Sequence, residues 1–181
     1  MNSEIEKRLA LLKHARSLID SQSLLEMGFL LESTARGHDR MPQKLLSQEL
    51  CSLQLDKQDE QAIIELAFEL IENRDMEGRS SLFWLVSKGS AEFVFEPLIK
   101  AIHLHDNDFD DETACQALFA LDSMLRFDQD GHVTENQVEL LRRYDILKFL
   151  SRMNTPKTSL RIRHIGRITA GVREAISDPL S

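Results

Sequence analysis

Between Gly89 and Phe127 the chain reads GSAEFVFEPLIKAIHLHDNDFDDETACQALFALDSMLRF, and its apolar positions recur at helical rather than strand spacing. Pro97 suits the first turn of a helix, where its missing N–H would have no intrahelical partner. Leu98, Ala101, Ile102 and His105 then follow at helical spacing. The acidic link 106–112, DNDFDDE, places carboxylates ahead of a second helix, where the macrodipole favours negative charge. In that second helix Ala114, Ala117, Leu118, Leu121, Met124 and Leu125 share an arc of about 120° at 100° per residue. Small residues alternate with large ones there, so a neighbouring helix can approach closely.

The rest of the chain repeats this pattern. Ser3 with Glu6 and Ser23 with Glu26 have capping-box spacing, predicting helices to about residue 20 and to about Arg36, where Gly37 stops the second. Pro42 opens a shorter helix carrying Leu45, Leu46, Leu50 and Leu53. From Asp56 the helices come in pairs: QDEQAIIELAFELIENR, a turn at Met76-Glu77-Gly78, then RSSLFWLVSK ended by Gly89. After the pair above and the loop FDQDGH, Thr134 and Gln137 cap a helix through Arg143, and Asp145 to Met153 forms another. A Pro-containing turn spans Asn154 to Lys157, and a last helix covers about 158–177. No stretch alternates as a strand would, and the expected class is all-α.

FVFEPLIKAI resembles the second helix of an armadillo repeat and ETACQALFALDSML its third, with an Ala-x-x-Ala-Leu pattern at Ala117, Ala120 and Leu121. LFWL at 82–85 matches LFAL at 118–121, and IRHIGRIT matches ACQALFAL further on, with offsets averaging about 42, the period of armadillo or HEAT-type units. The resemblance covers about residues 60–176, is clearest over 60–127 and is absent before 56. It implies a short right-handed α-solenoid of two to three irregular repeats over 56–181. Residues 1–55 would form a helical cap shielding its apolar end. An architecture of this kind fixes a surface and leaves the chemistry open.

Charge bears on the partner. The net charge of −8 is unevenly spread: residues 1–141 carry 13 Lys+Arg against 27 Asp+Glu, and residues 142–181 carry 9 against 3. An acidic body with a basic end disfavours a general nucleic-acid binder and favours a basic protein as partner. The longest apolar runs, IIELAF and ALFAL, fall far short of the roughly 18 residues that span a bilayer. The N-terminus mixes both charges and shows no signal-peptide pattern, so no membrane partner and a cytoplasmic location are expected. Cys51 and Cys115 lie inside helical patterns, where a thiol acts as a small apolar group, and no disulfide is expected.

In armadillo-like proteins the last helix of each unit lines a concave groove, which the resemblance carries to Gln116, Phe119, Ser123 and Arg126 as an exposed row opposite the core arc. Phe119 stands about 140° from Ala114, outside the apolar arc. The offsets place Phe83 beside Trp84, and Arg167 beside Arg163 and His164, in equivalent positions. The competing reading is that Phe119 and Phe83 pack beneath neighbouring helices. On the last helix Ile162, Ile165, Ile168, Val172 and Ile176 share one side, while Arg163, His164 and Arg167 share another that either meets an anion or pairs within the chain.

Other constellations are weaker. FDQDGHVTENQ lacks the first and last carboxylates of a calcium-binding loop. His103 and His105 stand two apart and do not share a helix face, so with Asp106, Asp108 and Asp110 they read as a solvated acidic turn, and no metal or other cofactor is expected. There is no glycine-rich phosphate loop, Gly-x-Ser-x-Gly or His-Glu-x-x-His. The expected function is therefore non-enzymatic protein binding, as a scaffold or adaptor. One version is a bacterial immunity protein whose acidic surface neutralises a basic toxin domain. The alternatives are nucleic-acid binding through the basic C-terminal helix, or a HEAT-like DNA-base-processing enzyme using Trp84, Asp122 and the terminal arginines.

Overall fold

The computed structural model describes residues 2–13, 22–36, 53–73, 78–125, 133–153 and 165–177, and among them every regular element is helical. In chain order these are α1 (Ser3–Lys13), α2 (Gln22–Arg36), α3 (Lys57–Glu72), α4 (Arg79–Val86), α5 (Ala91–His105), a single 3₁₀ turn (Asp106–Asp108), α6 (Asp111–Leu125), α7 (Glu135–Arg143), α8 (Ile146–Met153) and α9 (Ile165–Ser177). The expected short helix from Pro42 falls outside the described residues, as do the calcium-loop-like segment up to residue 132 and the start of the last helix. No helix among the described residues is long and apolar enough to cross a membrane.

Local chemistry explains most boundaries. Asp56 caps α3 by accepting the Asp59 N–H at 2.8 Å, with the Asp59 carboxylate returning to the Asp56 N–H. Thr134 and Gln137 form the same reciprocal cap on α7. Gly78 starts α4 from the left-handed region at φ 80°, where a side chain would be strained. Between α7 and α8, Asp145 turns the chain at φ 46°, a conformation that Asp tolerates better than most residues.

Three expectations at helix starts are corrected; in the second helix, which begins at Gln22, Ser23 lies inside and Glu26 accepts from Arg8 and Gln22. The first helix is capped by Asn2 rather than Ser3: its side-chain oxygen accepts the Glu4 N–H at 2.9 Å, while its own N–H donates to Asp59 at 2.7 Å. The fifth begins at Ala91, so Pro97 lies inside it and removes one backbone bond. The reason is burial. Val94 and Phe95, upstream of Pro97, are enclosed at 0% and 3% exposure, and keeping that turn helical puts both into the core.

The packing falls into two sets. Helices α1, α3, α5 and α7 meet in sequence, as do α2, α4 and α6, and each odd-numbered helix also packs on its successor from α1 through α8; α9 closes over α7 and α8. One continuous apolar cluster runs from Ile5 in α1 to Val172 in α9. Buried carboxylates knit the layers: Glu26 of α2 accepts Arg8 of α1 at 3.0 Å, and Glu60 of α3 accepts the Ser90 N–H at 2.7 Å. Breaking such a pair strands a charge, so these contacts fix how the helices register. Cys115 is buried as a small apolar residue, and Cys51 lies outside the described residues.

Candidate protein-binding face

The solvent side of the α2–α4–α6 layer carries several exposed or half-buried apolar side chains. On α2, Leu25, Phe29 and Glu32 recur at i, i+4 and i+7 and so form a row facing away from buried Leu24, Met27, Leu30 and Leu31. Leu25 is 40% exposed, and Phe29 is half-buried. On α4, only two turns long, the core takes Leu82, Phe83, Leu85 and Val86, which leaves Trp84 at the centre of the outward arc with Ser80, Ser81 and Lys88 around it. On α6, Gln116, Phe119 and Ser123 form the outward row, with Phe119 42% exposed.

Helices α2 and α4 are joined through this face. The Phe29 and Trp84 rings meet edge-on with centroids 6.2 Å apart. Lys88 Nζ lies 5.5 Å from the Trp84 ring centre and 3.2 Å from a Glu32 carboxylate oxygen. Gly28 makes the close approach possible, because a Cβ at that position would fall 2.5 Å from Trp84 Cζ3. From α4 to α6 the join is internal: Phe83 packs edge-on against Phe109 at 5.2 Å, and the Arg79 guanidinium stands over the same ring. Asp110 then caps α6 by accepting the Thr113 N–H at 2.7 Å. Hydrogen bonds from the Thr113 side chain and backbone, helped by Arg79, hold its carboxyl below the usual aspartate range.

The sequence-derived row is placed unevenly. Gln116, Phe119 and Ser123 do lie together on the outward side of α6, and Trp84 lies on the outward side of α4. Phe83 is corrected: it is 0% exposed and belongs to the core. The LFWL-to-LFAL alignment pairs Phe83 with Phe119, yet α4 is enclosed by α2, α3 and α6 and turns Trp84 outward instead. Arg126, Arg163 and His164 lie outside the described residues, as does the side chain of Arg167. Sequence reasoning missed Leu25, Phe29, Glu32 and Lys88. The available signal was a glycine set inside a helix one position before an aromatic.

At the basic end Arg142, Arg143 and Arg152 are engaged within the chain. Arg142 donates to the Ile176 carbonyl at 3.0 Å, Arg143 pairs with Glu139, and Arg152 holds the buried Asp106 carboxylate at 3.2 Å while donating to Asn107 at 2.9 Å. Nearby, a cleft of about 130 Å³ is lined by Ile102, His103, Tyr144, Lys148 and Phe149, with His103 Nδ1 donating to the Tyr144 carbonyl at 2.9 Å. Among the described residues no group of three or more His, Cys, Asp or Glu side chains is placed to hold a metal ion. Comparison of the chain with protein families, with curated proteins and with solved structures finds no match.

Proposed function

We propose that this protein is a non-enzymatic interaction module, a short HEAT-like α-solenoid that works by covering a basic protein partner with the outward face of α2, α4 and α6. One observation carries the reading: on three helices that pack in sequence, Leu25 and Phe119 are exposed, and Phe29 and Trp84, half-buried where α2 meets α4, lie on the side away from the core residues of their own helices. Aromatic groups of this kind supply most of the energy in protein interfaces, because they bury large areas at little entropic cost. The acidic body steers a basic partner and sets its approach rate. A basic toxin domain is one partner with that chemistry.

The test starts from capture of a partner by the tagged protein, after which both proteins are purified and their affinity measured. Trp84→Ala and Phe119→Ala should each weaken binding by roughly tenfold or more, the scale of a central interface anchor. Leu104→Ala, which alters a 61% exposed leucine on α5 in the other layer, should leave it unchanged. Equal sensitivity to Leu104→Ala, or indifference to both aromatics, would refute the proposal.

A further inference from the structure

Lys88 holds an unusual place on the proposed face. Its ammonium lies over the Trp84 ring at 5.5 Å and within 3.2 and 3.3 Å of the two Glu32 carboxylate oxygens, while Phe29 braces the indole from α2 at 84° to its plane. The Lys88 and Glu32 side chains retain only 19% and 25% exposure. A negative π face and a carboxylate meeting at one ammonium, with a second ring bracing the indole, form a recognition set for a cation. Gly28 belongs to it as well, since any larger residue there would displace the indole from α2. Lys88 fills this set from the turn that follows α4, on a flexible four-carbon stem.

We infer that Phe29, Glu32 and Trp84 form a cation subsite that Lys88 occupies in the unbound protein and that an arginine side chain of the docked partner takes over. The exchange puts one cation in place of another beside Glu32, and Lys88 swings into water. A planar guanidinium also stacks on the indole and can bind both carboxylate oxygens, which a compact ammonium does less well. Lys88 thereby acts as a built-in competitor, which raises the threshold for weak cationic ligands and admits a partner that adds apolar contacts. The identity of the partner rests on the function proposed above, whereas the subsite can be tested without any partner.

Trp84 is the only tryptophan in the chain, so a ¹H–¹⁵N spectrum holds one indole cross-peak, and it reports on this subsite. Wild type, Lys88→Met, Lys88→Arg and Lys88→Met/Glu32→Gln are titrated at constant ionic strength with N-acetyl-arginine amide and, separately, with its neutral isostere N-acetyl-citrulline amide. Lys88→Met should show a saturable indole shift with the arginine compound alone. Wild type should need about tenfold more ligand, the combined scale of one cation–π contact and one ion pair. Lys88→Arg should resist at least as well as wild type, and the double variant should lose the response. An equal response to citrulline, equal titration of wild type and Lys88→Met, or no saturable shift in a folded Lys88→Met protein would each overturn the inference. An arginine-specific shift in a protein whose partner ignores Trp84→Ala would uphold the subsite and overturn the proposed function instead.

Discussion

Gly28→Ala isolates the contact that holds α2 against α4. In an exposed helix this change stabilises by about 0.5–1 kcal/mol, because alanine lacks the conformational cost of glycine. Here the new Cβ would lie 2.5 Å from Trp84 Cζ3 and 2.6 Å from Cη2. Carbon atoms rest about 3.5–4.0 Å apart, so the ring must retreat by about 1 Å. That retreat loosens the edge-on contact with Phe29 and the stacking of Lys88, and overpacking of this kind costs about 1–3 kcal/mol. The two effects leave a net loss of about 1 kcal/mol, which in a chain of 181 residues lowers Tm by about 2–4 °C. Denaturant unfolding followed by Trp84 emission and by far-ultraviolet circular dichroism measures the loss. In a Trp84→Leu background the obstruction is gone, and the same Gly28→Ala change should become neutral or stabilising. Equal stabilisation in both backgrounds would show that the ring is not seated on Gly28 and would refute the reasoning.

Three further outcomes are expected. Phe83→Ala should destabilise by about 3–5 kcal/mol in chemical denaturation, since the side chain is fully enclosed and braces Phe109. On α9, Gly166→Ala and Gly171→Ala should each raise stability by about 0.5–1 kcal/mol, because nothing lies within 4 Å of a Cβ at either position. Asp110→Ala should cost about 0.5–2 kcal/mol at neutral pH through loss of the α6 cap. The Asp110 carboxyl is held lower in the folded chain than in the unfolded one, so its contribution is present above the ordinary aspartate pKa and is lost as pH falls through the depressed folded value. The gap between Asp110→Ala and wild type should therefore narrow on acidification, and a constant gap in pH-dependent unfolding would contradict that cause.

Much of the fold is legible in residue order because capping and amphipathic spacing are local. Thr134 and Gln137 mark the start of α7, and the arc from Ala114 to Met124 marks the buried side of α6, with no information from elsewhere in the chain. The site is only half legible for the same reason. Phe119 stands opposite a well-defined apolar arc and is exposed as its spacing implies, whereas Phe83 lies in a helix too short to define its own inward side. Three neighbours surround α4, and they decide that Phe83 enters the core and Trp84 faces out.

The Pro97 boundary shows the same division. A local rule puts proline in a first turn, yet the burial of Val94 and Phe95 outweighs one lost backbone bond and extends α5 upstream. Residue order alone specified helices throughout the described residues, the start of α7 at its Thr134 cap, the acidic body and the outward positions of Gln116, Phe119 and Ser123 on α6. These follow from interactions spanning four residues or fewer, or from net charge. Only the tertiary structure decided that Leu25, Phe29, Glu32, Trp84 and Lys88 share one face, because Phe29 and Trp84 are 55 positions apart in the chain. Their meeting depends on how α2 and α4 lie across Gly28, which no local pattern encodes.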